Sequence, residues 1–341
     1  MPAASPAAVA ALQRRIWDGR LPLEIRLAAT DCTTYDTSEP YLISLPRLAY
    51  LSPLLPRLHA FFRSVLVNPE IPSHEAWLSF DGLPLKWHYP VGLLHDLFSG
   101  AQPAGLDDAS KMESSAVQHS IHAPPQQDIQ TVDDGTLPWR LTLHLSAYPA
   151  ELIFPLDAEG DVLHDAFVNA VKEADFVRNG TAKAAMSLSK QDASTLWRAV
   201  LEHDMGVFNT VNAKLLNPPG VSLRHVPIKV YLPVDSQADI PGVVVEEKEE
   251  TGEDQQPQRQ AGSVRVVQGL VPPVSPSRQV TTLGTALNTL LPTVFPSKRN
   301  PVLACPVLHG AVVPMSASLE ELGRAASYTD GFLHVVVVLL S

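Results

Sequence analysis

Residues 332–340 read FLHVVVVLL, and within them Val335 to Leu340 is the longest aliphatic run of the chain. It falls far short of the ~20 residues a membrane-spanning helix requires. An unbroken β-branched run of this kind suits a strand buried on both faces. The preceding sequence supplies the neighbours such a strand needs. LRHVPIKVYL (223–232), VRVVQGL (264–270) and VLACPVLHG (302–310) are strand-like, whereas TTLGTALNTLLP (281–292) and SLEELGRAA (318–326) carry helical spacing.

The same order occurs once before. LPLEIRLA (21–28) and PYLISL (40–45) lead into the Pro-broken LSPLLPRLHAFFRSVL (51–66), then WLSF (77–80), GLLHDLF (92–98) and PWRLTLHL (138–145). Each copy reads strand, strand, helix, strand, short helix, strand, which is the order of the ubiquitin β-grasp, a helix across a small mixed sheet with the last strand central. DG at 81–82 and HG at 309–310 fall at matching places in the two copies. The predicted class is therefore α+β, two ubiquitin-like β-grasp domains flanking a helix-rich domain.

Between the copies, Leu163, Phe167, Val171, Ala174 and Val177 recur at three- and four-residue spacing and paint one helix face apolar. A second helix is expected over DASTLWRAVLEHDMGVFNTVNAKLL, opening on Asp192 or Ser194 and stopping before Pro218-Pro219. Residues 101–136 and 236–262 lack apolar periodicity and read as disordered insertions, the second strongly acidic. The expected division is an N-terminal helix (1–17), a first ubiquitin-like domain (18–150), a helix-rich domain (151–220) and a second ubiquitin-like domain (221–341).

With 341 residues, 45% of them hydrophobic, the chain can bury more than one core. A net charge of −11 argues against nucleic-acid binding, which rests on a cationic surplus. Two cysteines, Cys32 and Cys305, fit neither a disulfide framework nor a zinc cluster, and nothing at the start reads as a secretory signal, so the expected compartment is the cytoplasm. No nucleophile elbow, P-loop, dinucleotide fingerprint or H-E-x-x-H occurs. His119 and His122 lack a completing ligand set, His88 and His95 read as packing residues, and Cys305 reads as a small core hydrophobe. Neither metal nor cofactor is expected, and the enzyme reading lacks a site.

Four stretches, IWDGRLP (16–22), PYLISLPRLAYL (40–51), GLPLKWHYPVG (82–92) and VKEAD (171–175), together resemble the autophagy protein 5 family. The resemblance spans nearly the whole chain outside the two insertions. It implies a non-catalytic scaffold in which one lysine of the helix-rich domain forms an isopeptide bond with the C-terminal glycine of the ubiquitin-like autophagy protein 12. The VKEAD match puts that acceptor at Lys172. The resemblance further implies noncovalent binding of an amphipathic helix of autophagy protein 16, and transient or indirect contact with the E2-like autophagy proteins 10 and 3. Its implied output is E3-like promotion of autophagy protein 8 attachment to phosphatidylethanolamine during autophagosome formation.

In the helix that opens the chain, Leu12 and Ile16 are one turn apart and Trp17 follows. These three are the candidate contacts for the partner helix, although Trp17 serves equally well as a staple of the first helix onto its own domain. Residues 168–190 hold Lys172, Arg178, Lys183 and Lys190 against Glu173 and Asp175, a locally cationic stretch in an acidic protein. Arg178, Lys183 and Lys190 are thereby candidates for peripheral contact with an anionic, preautophagosomal membrane. The competing reading is a ubiquitin-like adaptor that binds partners noncovalently and is never modified.

Overall fold

The computed structural model describes residues 6–33, 38–98, 137–216, 223–233, 264–275 and 278–340. Both insertions, with His119 and His122, lie outside the described residues. Helix α1 (Pro6–Asp18) leads into the first β-grasp unit: β1 (Arg20–Leu27), β2 (Tyr41–Pro46), α2 (Leu55–Phe62), β3 (Trp77–Phe80), β4 (Leu83–Pro84), α3 (Val91–Phe98) and β5 (Trp139–His144). Helices α4 (Asp161–Asn179), α5 (Lys183–Met186), α6 (Lys190–Leu201) and α7 (Met205–Leu216) follow. The second unit comprises β6 (Ile228–Pro233), β7 (Val264–Gln268), α8 (Leu283–Leu290), β8 (Ala304–Leu308), β9 (Ala311–Val312), α9 (Leu319–Ala325) and β10 (Leu333–Leu339).

The two sheets have the same topology, β2-β1-β5-β3-β4 and β7-β6-β10-β8-β9. In each, the last strand is central, parallel to the first strand of its unit (β5 with β1, β10 with β6) and antiparallel to the third (β5 with β3, β10 with β8). Leu333 through Val337 are all buried, which is the two-sided burial the aliphatic run demands. The repeat extends to the backbone of the turns. Asp81 and Gly82 sit at φ 47° and 80°, His309 and Gly310 at 53° and 80°. Two consecutive left-handed residues are what a two-residue hairpin with the right strand twist requires, and they join β3 to β4 and β8 to β9.

The expected single second helix is instead two. His203 takes φ 57°, breaking the helix after Leu201, and the Asp204 carboxylate accepts from the Val207 amide to start the next. The N-cap is Ser189, whose hydroxyl accepts from the Asp192 amide, and not Asp192 or Ser194. Local propensity missed the break because His203 is held by a distant partner: the Trp17 indole donates to its carbonyl at 3.0 Å, and its Nε2 donates to the Trp17 carbonyl at 2.8 Å.

The second unit's sheet meets α4 through the Lys229–Glu173 ion pair and the first unit at Tyr89, which meets Tyr231 edge-on at 5.6 Å. The two units also touch through Arg47, which ion-pairs with Asp96, donates to the Gly92 carbonyl and lies against Gly310. A methyl group added at Gly82 would meet nothing within 4 Å, whereas one added at Gly310 would lie 2.9 Å from the Arg47 guanidinium. Gly82→Ala should therefore cost about 1 kcal/mol, the left-handed penalty alone. Gly310→Ala should lower the thermal midpoint further, because the buried Arg47–Asp96 pair must shift; equal losses in a melting comparison would contradict this.

Candidate functional site: the Lys172 helix and the three-domain groove

Helix α4 is set at both ends by its own sequence. The Asp157 carboxylate accepts from the Asp161 and Val162 amides at 2.9 and 3.0 Å, and those bonds hold its carboxyl below the usual range. Gly180, at φ 72°, closes the C-terminus by donating to the Phe176 carbonyl at 2.7 Å. Leu163, Phe167, Val171, Ala174 and Val177 are all buried. The stripe read from their spacing is therefore the face that packs.

That face is joined to the second β-grasp unit. Ala174 and Val177 pack on Phe332 at the start of β10, and the Arg178 guanidinium donates to the Gly331 carbonyl at 3.0 Å. Arg224, just before β6, donates its amide to the Arg178 carbonyl at 2.8 Å. Glu173 accepts from the Lys229 ammonium at 2.8 Å and from the Gln268 amide at 3.1 Å. The Lys229 ammonium also lies 4.1 Å from the centre of the Phe332 ring.

Lys172 points the other way. It is exposed and forms no hydrogen bond or ion pair with the described residues. Asp175 is the one carboxylate at ion-pairing spacing from it along the helix. Its side chain is buried, accepting from Asn179 Nδ2 at 2.6 Å and from the Ala185 amide at 2.8 Å, where it fastens α5 beneath α4. Nothing in the sequence pattern announced that inward turn.

Of the three cations assigned to a membrane surface, Arg178 is misplaced. It is only 6% exposed, and burial pulls its guanidinium below its ordinary pKa against the opposing charges of Asp175 and Asp330. Its position in the helical stripe, seven residues after Val171, already put it on the inner face. Lys183 and Lys190 are exposed.

Ile16 and Trp17 line a shallow groove where all three parts of the chain meet, together with Leu48 of the first unit, Phe208 and Leu216 of α7 and Tyr328 of the second unit. Leu12 is not among its walls and is 42% exposed. Trp17 is 7% exposed, stacked on His203 at 4.8 Å and against Phe208 at 5.1 Å. It is thus riveted to the helical region, not to the first β-grasp unit alone, and shows the groove only an edge. The α1 helix also bridges to the second unit, Gln13 donating to the Arg324 carbonyl at 2.9 Å.

A separate cavity of about 280 Å³ lies between Tyr50 and Tyr89 of the first unit, Phe167 of α4, and Tyr231, Asp330 and His334 of the second. Tyr231 donates to His334 Nδ1 at 2.7 Å, and His334 Nε2 donates to Asp330 at 2.8 Å. Burial raises the Tyr231 hydroxyl well above its ordinary value. His88 lines this cavity, and His95 lies beside Asp96 and Trp139. Cys305 is buried in β8, which pushes its thiol up. Among the described residues no group of His, Cys, Asp and Glu could hold a metal ion, and no helix is long and apolar enough to cross a membrane.

This is the architecture of a ubiquitin-like-fold protein: two β-grasp domains clasping a helical bundle on whose surface Lys172, Lys183 and Lys190 are exposed. Family comparison is more specific. Residues 16–145 match the autophagy protein ATG5 UblA domain, 160–218 its alpha-helical bundle region and 225–337 its UblB domain. The chain is 48% identical over 329 residues to autophagy protein 5 of Phaeosphaeria nodorum, covering 96% of this chain and 97% of that one. It is 47% identical over 334 residues to the Aspergillus clavatus protein of the same name, covering 98% of each. The fold matches the crystal structure of Kluyveromyces marxianus Atg5 with a TM-score of 0.66 at 21% identity, over 96% of this chain and 99% of that one. The chain belongs to the autophagy protein 5 family, and its role lies in autophagy.

The buried Trp17 and the exposed Leu12 should separate in a melting experiment. Trp17→Ala is expected to cost about 3–5 kcal/mol, as a large buried aromatic does, while Leu12→Ala leaves the thermal midpoint unchanged within about 0.5 kcal/mol. Comparable losses for both would refute this placement of α1.

Proposed function

We propose that the chain is a non-catalytic conjugation scaffold, joined through the Lys172 amine to the C-terminal glycine of autophagy protein 12. The observation that carries the reading is a solvent-facing amine on a rigid helix whose two nearest carboxylates, Glu173 and Asp175, are both engaged elsewhere. The E2-like autophagy protein 10 would deliver the modifier. The conjugate then promotes attachment of autophagy protein 8 to phosphatidylethanolamine, with the E2-like autophagy protein 3 recruited through the modifier.

In this reading the three-domain groove receives the amphipathic helix of autophagy protein 16. Ile16, half-buried at the groove wall, is the contact to test, because Trp17 serves the fold. Lys183 and Lys190 provide the cationic face toward an anionic membrane, each worth about 1 kcal/mol near the surface. Among the described residues no titratable pair stands beside Lys172 to act as base and orienter; in this reading the chemistry of transfer belongs to the ligating enzyme and position belongs to the scaffold.

A denaturing, reducing blot of cell extract should show a stable higher-mass species for wild type and none for Lys172→Arg. A band in both would place the acceptor at another lysine, and a band in neither would leave the unmodified adaptor. For the groove, Ile16→Asp should weaken binding of the partner helix by at least about tenfold without lowering the melting temperature as Trp17→Ala does. Unchanged affinity would remove the groove from the binding surface.

A further inference from the structure

Resting on the reading of Lys172 as acceptor, we infer that Phe176 and Val168 form an apolar cradle for the extended C-terminal tail of the incoming ubiquitin-like modifier. Phe176 is therefore a specificity-determining residue of the transfer. Phe176 is 58% exposed in the last full turn of a helix whose ends are both capped. It lies four residues after Lys172, and the half-buried Val168 lies four residues before. Side chains at that spacing are neighbours on one helix surface, ~5–6 Å apart at Cβ. The acceptor amine consequently rises between an aromatic ring and a branched aliphatic side chain.

The polar groups that should surround a surface lysine have been drawn away. Glu173 is turned onto the second β-grasp unit by Lys229 and Gln268, and Asp175 is turned inward to the Ala185 amide and Asn179. Asn169 is the remaining residue at three-residue spacing and carries no charge. Among the described residues, the setting of the amine is thus apolar along the helix axis and free of a carboxylate that holds it in an ion pair.

The occupant follows from the bond to be made. The uncharged amine attacks the thioester carbonyl carbon of the modifier held on the ligating enzyme. The C–N bond forms, the C–S bond breaks, the enzyme's cysteine leaves as thiolate, and the proton lost from the attacking nitrogen restores the thiol. At that moment the residues just before the modifier's terminal glycine must lie within a side chain's length of Lys172. In the cradle they lie along the helix axis and run over Phe176 or Val168 into the amine. Apolar cover there excludes water, the competing nucleophile for the same thioester, and an aromatic anchor beside the reacting atom is the kind of contact that carries binding energy.

The test is single-turnover transfer from the charged E2-like enzyme to the full-length chain, comparing wild type, Phe176→Ala, Phe176→Leu and Lys172→Arg, with thermal unfolding of each. Phe176→Ala should slow conjugate formation by about tenfold and shift thioester loss toward hydrolysis. Phe176→Leu, which restores apolar bulk, should recover most of the rate, and neither should change the melting temperature, because the ring is exposed. If Lys172→Arg is inert while Phe176→Ala reacts at the wild-type rate, the cradle is refuted and the acceptor stands. If Lys172→Arg is conjugated as fast as wild type, the acceptor reading falls and the cradle with it.

Discussion

The structure depends on a buried cation. Arg178 carries its guanidinium from the last turn of α4 to the carbonyl of Gly331, the residue from which the central strand of the second β-grasp domain departs. A buried charge is costly unless it is paired and hydrogen-bonded. Here Asp175 and Asp330 lie close enough to offset part of that cost. Removing the cation would leave the Gly331 carbonyl without its donor and take a neighbouring positive charge from Asp175, while Asp330 keeps His334 and Lys229. Because the same residue accepts from Arg224 through its own carbonyl, it fixes both where β10 starts and where β6 is approached. The outward direction of Lys172, six residues upstream on the opposite side of the helix, is the complement of that inward anchor.

The two β-grasp units show how a repeated sequence plan acquires different duties. Their topology and hairpin backbones coincide, yet one hairpin stands clear of its neighbours while the other receives Arg47 from the partner domain. The segment LKWHYPVG holds the junction on the first domain's side. Trp87 is buried and donates to the Tyr148 hydroxyl, Tyr89 meets Tyr231, and the Gly92 amide donates to the Arg47 carbonyl at 2.8 Å. A Cβ on Gly92 would lie 2.7 Å from Arg47, so the close approach of backbone to backbone needs glycine. The segment thus joins the Tyr148 region, the second β-grasp unit and Arg47.

Legibility in the sequence followed the range of the interaction. The aliphatic run of β10, the alternation and turn residues of the other strands and the apolar stripe of α4 are local patterns, and they placed the elements within a few residues. The break at His203 was invisible because it is held by Trp17, far away in the chain. The cationic surplus of residues 168–190 points Arg178 to the surface, whereas its place in the apolar stripe points it inward, and it is buried. By sequence Trp17 suits either core or contact; its burial and the reciprocal hydrogen bonds with His203 show it packed into the fold.

By itself the sequence determined the α+β class, the doubled β-grasp plan, the helical middle and the family, because period, turn chemistry and short motifs are carried by neighbouring residues. The tertiary structure decided which residues of the helical middle face solvent, that Glu173 and Asp175 are turned away from Lys172, and that a groove and a cavity open where three domains meet. Those features depend on partners supplied by remote segments: Lys229 and Gln268 for Glu173, the Ala185 amide for Asp175, and Gly331 for Arg178. A side chain's direction at such a junction is set by the group that satisfies its charge, and chain-local pattern does not encode that group.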